Sequence, residues 1–213
     1  MKKTLAAFAC VLAILLCGCS SGDTNDTSES EDFSATDTSN STIEQNSNEN
    51  NDTSIAFGYT LDEAVAALQQ NIAGTSAEGL LTDEYSKIDQ EATENMPAAV
   101  VYGYAAPGDG NLMYYCVPET DEVYYIFYVV STDSINTTEI AKQHGALLGA
   151  LISTYEQSET IRQKLDNDLD VLNLAEGTMN VSSGTASSWS YSVYGGQIML
   201  SVMSTDYMEY VNS

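Results

Sequence analysis

The spacing of apolar positions changes several times along this chain, and each change marks an element. Leu61, Val65, Leu68 and Ile72 recur at helical intervals until Gly74, and Thr60 with Glu63 three residues later forms a capping-box signature in front of them. This pattern predicts an amphipathic helix. Glu84 to Asp89 reads as a short strand. After Asn95-Met96-Pro97 come three runs rich in β-branched and aromatic side chains: Ala98 to Tyr104, Leu112 to Val117 and Val123 to Ser131. Pro107-Gly108-Asp109-Gly110 and Pro118 to Glu122 separate them, and turns this short make the runs antiparallel neighbours.

Helical spacing returns after Asn136, which has Glu139 three residues later. Ile140, Leu147, Leu148, Leu151 and Tyr155 form one stripe, and Ala141, Gly145 and Gly149 form a second, small-residue stripe expected to lie against the sheet or a neighbouring helix. Ser158 is placed to cap a further helix with Ile161, Leu165, Leu169 and Leu172 buried, closing before Gly177. The pattern leaves open whether residues 137–173 are one bent rod or two helices. Ser188 to Tyr194, Gly195-Gly196 and Gln197 to Met203 spell strand, tight turn, strand. Asp206 to Val211 fits a short helix or a strand. This order predicts an α+β fold, a mostly antiparallel sheet with helices packed on one face, in a single domain over residues 55–213.

The first 54 residues follow a different pattern. Lys2 and Lys3 precede an apolar run from Leu5 to Leu16 of about a dozen residues, the layout of a secretory signal. A membrane span needs roughly 20 apolar residues, and Gly18, Ser20, Ser21, Gly22 and Asp23 interrupt this run sooner. Leu16-Cys17-Gly18-Cys19 resembles the lipobox of bacterial lipoproteins, a likeness confined to residues 1–19. The resemblance implies a signal peptide over residues 1–18, cleavage after Gly18, and a diacylglyceryl group, whose acyl chains can be palmitate, on the thiol of Cys19. Acylation through more than one chain gives stable membrane residence, so the expected location is the extracytoplasmic face of the cell membrane. From Ser20 to Ser54 the chain is nearly all Ser, Thr, Asn, Asp and Glu, with Phe33, Ala35 and Ile43 its clearly apolar side chains. Such a composition cannot offset the cost of ordering, so residues 19–54 read as the lipidated cysteine and a disordered acidic linker spanning roughly 30 to 35 Å or more.

Charge narrows the classes of partner. The chain carries 6 basic and 31 acidic residues, a formal charge of −25. Nucleic acid and anionic headgroups both require positive charge at the contact, so neither is an expected partner and membrane contact falls to the lipid on Cys19. Of four cysteines, Cys10 and Cys17 lie in the signal and Cys19 is the acylated one, which leaves Cys116 alone in the domain. An internal disulfide and a Cys/His zinc site are therefore not expected, and no cofactor or metal is implied.

Candidate chemistry is sparse. Asp166, Asp168 and Asp170 alternate like the start of a calcium loop, but Val171 stands where such a loop needs Gly and Gly177 where it needs Glu, so a solvated helical face is expected instead. His144 falls near an apolar stripe and reads as a packing residue; Cys116 reads as a buried thiol on a strand. No catalytic residue is assigned. The most suggestive group is aromatic: Tyr102, Tyr104, Tyr124, Tyr128, Trp189 and Tyr191 all fall on expected strands, and alternation sends Tyr102 with Tyr104, Tyr124 with Tyr128, and Trp189 with Tyr191 to shared faces. An exposed tyrosine-rich sheet face would suit a glycan, a peptide or a protein partner of the envelope. The expected function is a lipid-anchored envelope protein presenting a non-enzymatic binding domain. The alternatives are a small envelope hydrolase, or an inhibitor or assembly partner of an envelope enzyme.

Overall fold

The structure is a computed structural model describing residues 55–93, 96–156, 161–184 and 186–212. The signal, Cys19, the acidic linker, Asn95 and Ser158 lie outside the described residues.

Seven strands form one antiparallel sheet: β1 (Ser86–Gln90), β2 (Ala99–Ala106), β3 (Gly110–Cys116), β4 (Val123–Ser131), β5 (Thr178–Ser183), β6 (Ser187–Tyr194) and β7 (Gln197–Ser204). Their order across the sheet is β1-β2-β3-β4-β7-β6-β5, two meanders joined where β4 pairs with β7. Helices α1 (Leu61–Ile72) and α2 (Thr138–Tyr155) bury Leu61, Ala64, Leu68, Ile72, Leu147, Leu148, Leu151 and Ile152 in the same core as Tyr102, Tyr114, Tyr128 and Trp189. This is the α+β single domain that the pattern predicts, with its main helices against one sheet face. A short α4 (Thr205–Val211) touches the other face, where Tyr207 meets Tyr124 and Tyr125.

Local chemistry explains the boundaries. The Thr60 side chain accepts from the Glu63 N–H at 3.5 Å while Glu63 accepts from the Thr60 N–H at 2.8 Å, so the expected capping box is present. α2 starts one residue beyond the Asn136 reading, with Thr137 accepting from the Ile140 N–H at 3.3 Å. Gly195 and Gly196 have φ of 61° and 71°, the two positive values a tight hairpin turn demands. Both of their N–H groups donate to the Glu176 carboxylate, at 2.5 and 3.2 Å, which ties the β6–β7 turn to the segment leading into β5.

Several expectations need correction. The helix expected to reach Leu172 ends early: among the described residues α3 (Ile161–Gln163) runs into a π turn at Lys164–Asp168, and Leu172, expected in its buried stripe, is 82% exposed. Leu169 is the member of that stripe that is fully buried. The acids Asp166, Asp168 and Asp170 consequently straddle a π turn and a left-handed residue, Asp170 at φ 48°, and do not line a helix face. In the small-residue stripe, Gly149 packs against Ile161 and Leu165, but Ala141 and Gly145 face solvent. Strand β5 has no counterpart in the sequence reading, because Thr178–Ser183 offers Met179 and Val181 alone among Thr, Asn and Ser.

Candidate functional site

The six aromatic residues singled out for ligand contact are interior. Tyr102 and Tyr104 are 5% exposed, Tyr191 is 1%, and Tyr124, Tyr128 and Trp189 are fully buried. The exposed tyrosine face is thus corrected to a tyrosine-lined core. Alternation placed Tyr102 with Tyr104 and Trp189 with Tyr191, and those pairs do share the helix-covered face. It failed for Tyr124 and Tyr128 because β3 and β4 shift register between Tyr115 and Cys116, pairing Tyr115 with Tyr125 but Cys116 with Val123. The extra residue, Tyr124, lands beside Tyr115 and Tyr207, whereas Tyr128 meets His144 below the helices.

Beneath α1 and α2 a second aromatic group forms. The rings of Phe57, Tyr59 and Tyr155 lie 5.4 to 5.5 Å apart, and Tyr155 reaches Trp189 at 6.5 Å. The hydroxyls of Tyr59 and Tyr114 both approach that of Tyr155, yet none of the three makes a hydrogen bond of ordinary geometry. Burial pushes all three well above the usual phenol range, so they stay neutral.

His144 and Cys116 are held as packing groups. His144 Nδ1 shares a 2.9 Å hydrogen bond with the Tyr128 hydroxyl, and its Nε2 is buried without a partner. Burial lowers its pKa to about 4, which keeps the ring neutral at neutral pH. Cys116 is fully buried, and burial with the nearby Asp121 raises its thiol to about 12, far from the thiolate that nucleophilic chemistry needs.

The densest polar arrangement was not anticipated. Glu156 at the end of α2 and Lys164 in the π turn form an ion pair at 3.5 Å, with side chains 9% and 5% exposed. One Glu156 oxygen also accepts from the Ser187 hydroxyl at 2.5 Å and from Trp189 Nε1 at 3.1 Å. Lys164 donates to the Ser182 hydroxyl at 3.3 Å and sits 5.3 Å over the Trp189 ring, and Ser182 donates to Asp168 at 3.1 Å. Gly184 belongs to this clasp as well, since a Cβ there would collide with the Glu156 carboxylate. The sequence signal was weak: a lysine eight residues after a glutamate in a mostly polar stretch, with partners that only folding brings close.

A serine beside a lysine is the geometry of one kind of acyl-transfer nucleophile, with the amine acting as base. Lys164, however, is engaged as the cation of an ion pair, and an ammonium has no lone pair to accept the serine proton. What the arrangement does is join α2, the π turn, β5 and β6. Among the described residues, no group of three His, Cys, Asp or Glu side chains could hold a metal ion, and no helix is long and apolar enough to cross a membrane. Comparison with protein-family models, curated proteins and solved structures finds no match to the chain.

Proposed function

We propose that this is a lipid-anchored envelope protein, tethered through Cys19 on the extracytoplasmic face and carrying a non-enzymatic domain that binds a partner. The lipobox-like Leu16-Cys17-Gly18-Cys19 and the acidic stretch after it support the anchor. The single observation that carries the non-enzymatic part is how the chemistry-bearing groups are spent: Glu156 and Lys164 pair with each other, and His144 pairs with Tyr128. A group locked into packing this way is poorly placed to meet a substrate.

Expressed in a bacterium, the wild-type chain should incorporate labelled palmitate and sediment with membranes, and Cys19→Ala should do neither. Retention of label in Cys19→Ala would contradict the anchor. The hydrolase alternative is kept by one observation, the 3.3 Å approach of Lys164 to Ser182. A fluorophosphonate probe should leave the protein unlabelled; labelling at Ser182 that vanishes in Lys164→Met would favour the hydrolase.

A further inference from the structure

The two edges of the sheet differ in a way that points to a docking site. β1 carries Lys87 and Asp89, both exposed, and charges of this kind on an edge strand discourage pairing with another chain. β5, at the opposite edge, has no charged side chain from Thr178 to Ser183, while Met179 and Val181 stand 45% and 58% exposed. The Gly184 N–H bonds the Ser187 carbonyl, so by antiparallel alternation Ser182 and Asn180 direct their backbone groups to β6. Met179, Val181 and Ser183 therefore present theirs outward, a template for one more strand.

Charge says what kind of strand. Asp168, in the π turn, accepts from Ser182 of β5 itself, and Asp166 and Asp170 flank it in the chain. The cation that touches the strand, Lys164, is already paired with Glu156. A second copy of a chain with a formal charge of −25 would be repelled from this edge. Resting on the reading of the domain as a binding module, we infer that β5 receives an extended segment of a cationic protein partner, in which apolar side chains that cover Met179 and Val181 alternate with Lys or Arg facing Asp168. Main-chain pairing supplies the affinity, and the alternating side chains supply selectivity.

The test uses the full chain in detergent and three capped synthetic peptides, of alternating valine and lysine, valine and glutamate, and glycine and lysine. The valine–lysine peptide should bind, measured by fluorescence anisotropy, and protect the Met179 and Val181 amides from hydrogen exchange. Val181→Lys, which places a like charge at the edge, should weaken binding at least about tenfold. Circular dichroism and Trp189 fluorescence report whether that variant is folded, and Met179→Lys substitutes for it if it is not. Equal binding of either control peptide, unchanged affinity in the lysine variants, no binding, or a concentration-dependent dimer abolished by Val181→Lys would each overturn the inference. Palmitate incorporation at Cys19 is untouched by these variants, so loss of the edge site and loss of the anchor are read separately.

Discussion

Two neighbouring parts of the interior treat their polar atoms in opposite ways. They touch through Tyr155 and Trp189, whose rings are 6.5 Å apart. On the Trp189 side the indole, Ser187, Glu156, Lys164 and Ser182 are bonded to one another. On the Tyr155 side the hydroxyls of Tyr59, Tyr114 and Tyr155 are buried against one another, and none makes a hydrogen bond of ordinary geometry. Depth is similar, but the consequence of deletion is not. Removing one member of a buried pair strands a charge, whereas removing a hydroxyl that makes no hydrogen bond of ordinary geometry strands little.

The largest effect should follow Lys164→Met, which leaves the Glu156 carboxylate buried beside neutral donors. A loss of about 3–5 kcal/mol is expected in urea denaturation, largely recovered when Glu156→Leu is added. Failure of the second substitution to rescue the first would show that the two side chains are not coupled. Next comes acid. The fold holds His144 near a pKa of about 4 against an ordinary 6.5, so between those values the unfolded chain binds the proton and the native one does not. Stability should therefore fall as pH drops through that window, by up to about 3 kcal/mol from this group. Carboxylates titrate nearby in pH, so the quantity to follow is the difference between wild type and His144→Gln, and a pH-independent difference would contradict the assignment.

Smaller effects grade the tyrosines by what their hydroxyls do. Tyr128→Phe leaves His144 Nδ1 without its partner and should cost about 1–3 kcal/mol. Tyr125→Phe removes a 3.1 Å bond to the Ser201 hydroxyl and should cost about 1 kcal/mol. Tyr114→Phe should cost least of the three or add slightly to stability, since its hydroxyl is a buried polar group whose approach to Tyr155 falls short of an ordinary hydrogen bond. Equal losses across the three, read from chemical denaturation, would erase the distinction between bonded and unbonded buried hydroxyls on which the comparison rests.

The sequence exposed what depends on local pattern and concealed what depends on assembly. The Thr60 and Glu63 capping box, the Gly195-Gly196 hairpin and the alternating runs of β2, β3 and β4 each show their signal within a few residues. The faces of the tyrosines were half legible. A strand's period of two assigns Tyr102 and Tyr104 to one side, but not which side a helix will cover, and the irregularity beside Cys116 reverses the parity for Tyr124. Burial of a tyrosine is also hard to foresee, because its ring suits the core as well as the surface. β5 escaped notice since its inward residues, Asn180 and Ser182, are polar and gain partners at Leu169, Lys164 and Asp168 only after folding. Glu156 and Lys164 likewise carry no local sign of burial. Nothing within the π turn itself marks Lys164 for burial; its partners come from α2, β5 and β6.

Whether the polar groups of this domain serve the fold is tested most directly by the stability of Lys164→Met beside Tyr114→Phe at neutral pH. Residues kept for catalysis are often neutral or costly to stability, so their removal leaves a protein as stable or more so. A marked drop in the denaturation midpoint for Lys164→Met, with Tyr114→Phe near or above wild type, is the predicted result. A Lys164→Met protein as stable as wild type would contradict it.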